Sequence, residues 1–342
     1  MTSDPQPTPL ERRKKLFDSL RKFNEGKNAP PLNRCLYWLE DCRGAIGSHS
    51  LSRCWLDTIS FDGHVVKVKL WPRKGEDGKD VSTFSPELFG QNEVSVFRGF
   101  CEKHDAALFQ NLDTLTVEPT LDECMKLIYR SVAREFTAKH HAVAVLLDAG
   151  MGKDSEAFKK FVFPQTLFTF GLLEYKFEIE NALASGDFND YDHLIFNLGT
   201  KPWYIGTTTF IPCVTPRGRV LGVNRRKYVT LTLLPTEKGG LAVLSWNRVG
   251  NPYAAKFAHA LRKTPLHLVG MAIGRIFFEI SDNVVFSPVC WYGIPEECKM
   301  AIVNMHARSI VNQEDIPSAD ALVPNYQTDY PFTLDVQSVR SL

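Results

Sequence analysis

Apolar and polar residues alternate over 63–71, GHVVKVKLW, and this period of two predicts a strand. Residues 94–97 predict a second strand. Residues 101–112 read as a helix, with Ala106, Leu108, Phe109 and Leu112 available for packing. Over 121–139 the period changes: Leu121, Cys124, Leu127, Ile128, Val132 and Phe136 recur at helical spacing. Residues 155–185 predict one or two further helices, with Pro164 at a break or in a first turn. After a polar turn over 186–192, strands are expected at 193–198, 204–213, 227–234 and 241–246, with Pro216, Gly218 and Gly239–Gly240 as turn signals. Helices follow at 254–262 and 266–279, a strand at 283–286 and a last helix at 295–310. Trp246, Trp291 and Tyr292 are expected in the core. Thr207, Thr208 and Thr209 fit a half-exposed strand.

The fold class expected from this order is α+β. A small N-terminal unit over 31–116 precedes a larger α+β unit over 117–312. Residues 1–30 form a basic helix or tail, with Leu16, Leu20 and Phe23 on one face of 10–24, and 313–342 form a polar C-terminal tail. A length of 342 residues agrees with about two domains. Hydrophobic residues at 44% and charged residues at 23% exclude a disordered, fibrous or coiled-coil chain. No apolar run approaches the ~18 residues of a bilayer span, so no membrane partner is expected.

Residues 1–9 lack a signal-peptide layout, so the expectation is a cytoplasmic protein. Its eight cysteines are then thiols, metal ligands or small core residues rather than disulfides. Lys and Arg number 40 against 39 Asp and Glu, so a net charge of +1 gives no global pull on nucleic acid. Any basic patch is local. Residues 1–30 carry seven basic and four acidic side chains, a local +3 read as a solvated helix face.

The most informative chemistry lies in the first unit. Cys101 and His104 are three apart at an expected helix start, which directs both side chains to one point. Cys35 and Cys42, from an upstream loop, complete a tetrahedral Cys3His set of the kind that holds structural Zn2+; Cys54 and His49 are substitutes. A helix N-terminus favours thiolate, and a small unit gains stability from a metal.

This layout resembles the treble-clef (ββα-like) zinc fold and, within it, the HNH endonucleases, over about residues 31–112. The resemblance implies that His49, seven residues after Cys42, is the general base. It implies that Asp105, directly after His104, holds a catalytic Mg2+-type ion. His49 would take a proton from water, and the hydroxide would attack phosphorus. The sequence departs from the family at C-x6-C in place of C-x2-C, at Ser48 before the histidine, and at Asp105 in place of a final histidine. The stretch SHSLSR…FRGFCEKHD also resembles segments of bacterial proteins near phage-defence genes, which implies a defence or toxin effector.

Arg53 and Arg98 are candidate phosphate contacts. Arg217, Arg219, Arg225, Arg226 and Lys227, with Trp203, Tyr204 and Tyr228 nearby, form a basic and aromatic candidate for nucleic acid. Arg134 and His140, or Arg262 and His267, have spacings that resemble the metal-independent RNase motif of HEPN proteins. The run at 150–154, GMGKD, fails the phosphate-loop pattern at Leu147 and Asp154. The acidic run GDFNDYDH over 186–193 reads as a solvated loop.

The combined reading is a zinc-containing protein that binds nucleic acid and acts as a metal-dependent HNH-like nuclease. The alternatives are a structural-zinc adaptor with a protein partner, or a toxin-type RNase or nucleotide-dependent transferase with its site in 117–312.

Overall fold

Strands that read as nearly continuous apolar runs are buried on both faces. The computed structural model shows this for the strands between residues 190 and 287. It describes residues 34–37, 42, 44–74, 80–113, 119–148, 159, 162–221, 228–311 and 333–342. The expected helix over 10–24, the run at 150–154 and Arg225, Arg226 and Lys227 lie outside the described residues.

In chain order the elements are β1 (Gly47–His49), α1 (Arg53–Ile59), β2 (His64–Lys74), β3 (Asp80–Gly90), β4 (Val96–Arg98) and α2 (Glu102–Phe109). A 3-10 turn follows at Gln110–Asp113, then α3 (Leu121–Asp148), α4 (Phe163–Ser185), β5 (Tyr191–Leu198) and β6 (Tyr204–Phe210). The chain continues with β7 (Val229–Thr236), β8 (Gly239–Asn247), α5 (Pro252–Arg262), α6 (Leu266–Ile280) and β9 (Val284–Phe286). It ends with α7 (Pro288–Gly293), α8 (Glu296–Val311) and β10 (Val336–Ser341).

One eight-stranded sheet has the order β10-β5-β8-β7-β6-β9-β2-β3. Every neighbouring pair in it is antiparallel. Strand alternation sends Ile195, Ile205, Val243 and Val285 to one face, where α3 and α4 cover them. Phe196, Tyr204, Leu244 and Phe286 go to the other face, against α5, α6 and α8. The sheet is therefore the middle layer of three.

This architecture corrects several expectations. Thr207, Thr208 and Thr209 are buried, because β6 is covered on both faces. The Thr207 and Thr232 hydroxyls satisfy each other at 3.0 Å, as do those of Thr209 and Ser131 on α3. Tyr292 is 63% exposed, whereas Trp246 and Trp291 are buried as expected. The segments 31–116 and 117–312 also share the sheet. Val66 of β2 pairs with Phe286 of β9, and Val65 joins the same cluster as Ile205. Residues 336–341, within the expected C-terminal tail, form an edge strand along β5.

Local signals set the helix ends. Thr120 and Glu123 form a capping box at α3: the Glu123 carboxylate accepts from the Thr120 N–H at 2.7 Å, and the Glu123 N–H donates to Thr120 Oγ1 at 3.2 Å. Gly186 closes α4 with φ of 69°, a left-handed conformation that glycine adopts without strain. Asn251 caps α5 by accepting from the Ala254 N–H at 3.1 Å, with Pro252 in the first turn.

Candidate metal centre and the adjoining polar site

The loop carrying Cys35 and Cys42 is closed by an antiparallel bridge between Arg34 and Gly44. The Leu36 N–H donates to the Gly99 carbonyl at 2.6 Å, and the Ile46 N–H to the Phe100 carbonyl at 2.7 Å. These bonds lay the loop against the segment entering α2. Cys101 is the N-cap of α2, and its carbonyl accepts from the Asp105 N–H at 2.8 Å. His104 sits one turn inside.

Four candidate ligand atoms, from Cys35, Cys42, Cys101 and His104, lie within 4.8 Å of one another. His104 Nδ1 is 3.4 Å from Cys35 Sγ and 3.4 Å from Cys101 Sγ. With Zn–S near 2.3 Å and Zn–N near 2.0 Å, a tetrahedral ion gives S···N edges of about 3.5 Å. The observed edges match, and this cluster can hold a metal ion such as zinc. Cys35, Cys101 and His104 are buried, and Cys42 reaches the surface. The Tyr37 ring lies 4.6 Å from the His104 ring. Burial pushes the Cys35 thiol well above its ordinary range. A divalent ion is the natural counterweight for thiolates held there.

Behind Cys35 is a buried polar group on α3 and α4. Lys176 Nζ and Tyr129 Oη both donate to Glu180 Oε1, each at 2.6 Å. Burial lowers the Lys176 ammonium, opposed by Glu180 and then Cys35, so this lysine is electrostatically linked to the metal centre.

The two strands β1 and β4 place His49. They pair antiparallel, with His49 opposite Val96 and Gly47 opposite Arg98. His49 Nδ1 lies 3.4 Å from Ser95 Oγ. The Ser50 hydroxyl donates to the Ser95 carbonyl at 2.9 Å, and Asn283 Nδ2 donates to Ser50 Oγ at 2.9 Å. The strand bearing His49 is thereby tied to the start of β9. The His49 pKa lies below its ordinary value, first through burial and then through Arg130. A backbone bond to Val94, Asp105 and Asp113 oppose that shift.

Sequence reasoning missed Arg130. It is 3% exposed on α3, with Cζ 4.5 Å from the Phe109 ring centroid. Its Nη2 is 3.6 Å from Asp113 Oδ1, and its Nε and Nη1 have no hydrogen-bond partner among the described residues. Oδ1 of Asp105 is also buried without one among them. Asp113 accepts the Ser52 hydroxyl. The available signal was an arginine inside the apolar run of α3, beside Ile128 and Tyr129.

Comparison with known proteins finds no family model, curated protein or solved structure that matches this chain.

The remaining sequence candidates separate. Arg53 is exposed at the first position of α1, and Arg98 is exposed on β4. The charges that bear most on His49 are Arg130, Asp105 and Asp113. Arg217 and Arg219 are exposed in a tight turn where the Gly218 N–H donates to the Thr215 carbonyl at 2.9 Å. Of the three aromatics of that patch, Trp203 is half-buried and the two tyrosines are not available to stack on bases. Tyr204 is fully buried, and Tyr228 is buried with its hydroxyl donating to the Phe168 carbonyl at 3.0 Å. Arg134 is ion-paired to Asp282, and His140 is buried beside Phe136, so neither presents the surface an RNase motif needs. His193 is a core residue bonded to Ser245 at 2.8 Å. No helix among the described residues is long and apolar enough to cross a membrane.

Proposed function

We propose that this chain is a zinc-containing nucleic-acid-binding protein whose His49 site cleaves phosphodiesters in the manner of HNH-like nucleases. One observation carries the reading: His49, Asp105, Asp113 and Arg130 converge electrostatically beside the Cys3His cluster. The cluster anchors the loop before β1 and the start of α2, and so fixes the elements that bear His49 and Asp105. The order of loop, β1, β4 and α2, with α1 and the β2–β3 hairpin inserted between the two strands, supports a treble-clef relationship.

In this reading zinc is structural. A depressed pKa keeps the imidazole of His49 neutral near pH 7, as a general base requires. It takes the proton from the attacking water. Asp105 is the proposed Mg2+ ligand, and Arg130 supplies positive charge to the phosphate.

A second reading is favoured by one observation. Among the described residues, only the Cys3His set brings three or more metal-binding groups together, and Arg130 already compensates Asp105 and Asp113. The protein is then a structural-zinc binding module without hydrolysis. The deciding assay incubates labelled RNA, single-stranded DNA and duplex DNA with the zinc-loaded protein, with and without Mg2+. Cleavage lost in His49→Ala at unchanged zinc content supports the nuclease. Binding without cleavage in every condition supports the module. Neither binding nor cleavage overturns both.

A further inference from the structure

Among the described residues, two that are not glycine have a left-handed backbone: Asp62, with φ of 49°, and Ser95, with φ of 61°. Asp62 is exposed in the turn before β2, and aspartate tolerates this conformation there. Ser95 is 8% exposed, and a serine with this φ carries strain that glycine would avoid. Strain of this kind persists only where the surroundings over-determine the residue.

The surroundings of Ser95 converge on His49. Ser95 directly precedes β4, and His49 closes β1 opposite Val96. The Ser95 carbonyl accepts from the Ser50 N–H at 3.0 Å and from the Ser50 hydroxyl at 2.9 Å. The Ser95 hydroxyl donates to the Leu51 carbonyl at 3.4 Å and lies 3.4 Å from His49 Nδ1. Residues 49, 50 and 51 are thus each bonded to this one serine. A serine hydroxyl has a single proton. Leu51 is fully buried, and its carbonyl takes that proton, as a buried carbonyl requires. The hydroxyl oxygen then meets His49 Nδ1 with a lone pair, so the ring is the donor. The Val94 carbonyl, one residue upstream, also hydrogen-bonds the His49 ring, and a carbonyl only accepts.

We propose that Ser95 is the positioning residue of His49: it holds the ring as the Nδ1–H tautomer and leaves the Nε2 lone pair as the proton acceptor. The bond made at one ring nitrogen sets the role of the other. In the nuclease reading, on which this role rests, Nε2 takes the proton of the attacking water, and Ser95 does not touch substrate. The left-handed backbone lets one residue offer its carbonyl to Ser50 and its hydroxyl to His49.

The test is a long-range proton–nitrogen NMR correlation of the isotope-labelled, zinc-loaded full chain near pH 8, where an ordinary imidazole is neutral. His49→Gln identifies the His49 signals among the nine histidines. The expected result is a protonated Nδ1 and an unprotonated Nε2. Ser95→Gly relieves the left-handed backbone but removes the hydroxyl. In it the Nε2–H form is expected to gain about two- to tenfold over the Nδ1–H form, the worth of one hydrogen bond. Ser95→Ala serves should Ser95→Gly not fold. A wild-type His49 in the Nε2–H form overturns the assignment, and so does a folded variant with an unchanged tautomer. Where the wild type cleaves nucleic acid, kcat in the variant is expected to fall by a similar factor at unchanged KM. An unchanged kcat overturns the role. A tautomer that shifts in a protein without cleavage supports the positioning by Ser95 and removes the nuclease reading instead.

Discussion

The imidazole of His104 lies 3.4 Å from the sulfur of Cys35 across 69 residues of sequence. That contact joins the loop before β1 to the first turn of α2 and positions both elements around His49. A metal ion held by this cluster would tie the stability of the N-terminal region to its binding. The purified protein is expected to carry about one zinc per chain. Strong chelation is expected to lower its Tm by about 10 °C or more, because metal binding energy here is folding energy. Cys101→Ala is expected to lose the zinc and to be insensitive to the chelator. Elemental analysis with a thermal melt checks this. Zinc-free wild-type protein with an unchanged melt would sink the metal centre.

His49 and Arg130 are coupled through charge. Removing the guanidinium in Arg130→Gln leaves Asp105 and Asp113 unopposed, so the His49 pKa is expected to rise. An NMR titration of the ring protons reads this directly. If the protein cleaves nucleic acid, the wild-type rate rises with pH through a value below 6.5 and then levels. The Arg130→Gln profile shifts to higher pH, and His49→Ala loses about 10²- to 10⁴-fold. An unmoved His49 pKa in Arg130→Gln would show that the two side chains do not interact.

The pair Lys176–Glu180 is buried, at 0% and 1% exposure, with Tyr129 as third member. Lys176→Met leaves the Glu180 carboxylate without its cation and is expected to cost about 3–5 kcal/mol. Replacing both, as Lys176→Met with Glu180→Leu, is expected to recover most of that loss. Urea unfolding of the single and double variants checks it. A single variant as stable as wild type would mean that the Lys176–Glu180 ion pair makes no net contribution to the fold.

Most regular elements were legible because their hydrophobic periods are strong. Helices α5 and α6 and strands β5 to β8 fall where the apolar spacing puts them, within two or three residues at their ends, and α3 starts where expected but runs on from residue 139 to Asp148. The short elements β1, α1 and α7 hold too few residues to show a period. β10 was hidden because an edge strand can be polar: Gln337 and Ser338 face outward, and Val336 alone is buried. That one sheet spans both expected units was also illegible, since it turns on long-range pairings such as Val66 with Phe286. In the site, the Cys3His spacing was readable because ligand chemistry restricts residue type. Arg130 was not, since a buried arginine follows no period and is explained only by the carboxylates that surround it. Around the Arg217–Lys227 patch, proximity in sequence does not separate a surface tyrosine from Tyr204 and Tyr228, which lie in the core.

Three histidines make stability depend on acid. Burial lowers His140, His193 and His306 to about 4, from an ordinary value near 6.5. The neighbours differ: His141 also depresses His140, while at His306 Asp282 opposes the shift and Lys67 adds to it. Each folded-state pKa is depressed, so between pH 6.5 and 4 the unfolded chain binds more protons than the native one. The stabilising contribution is complete above 6.5 and is lost as pH falls through 4. Each histidine contributes up to about 3 kcal/mol to that loss. Urea midpoints are therefore expected to drop steeply from pH 7 to 4.5. His193→Asn keeps a group able to bond the Ser245 hydroxyl but carries no titrating proton. It is expected to flatten about a third of the slope. An unchanged slope in that variant would mean that His193 meets acid equally in the folded and unfolded states, which its 1% exposure argues against.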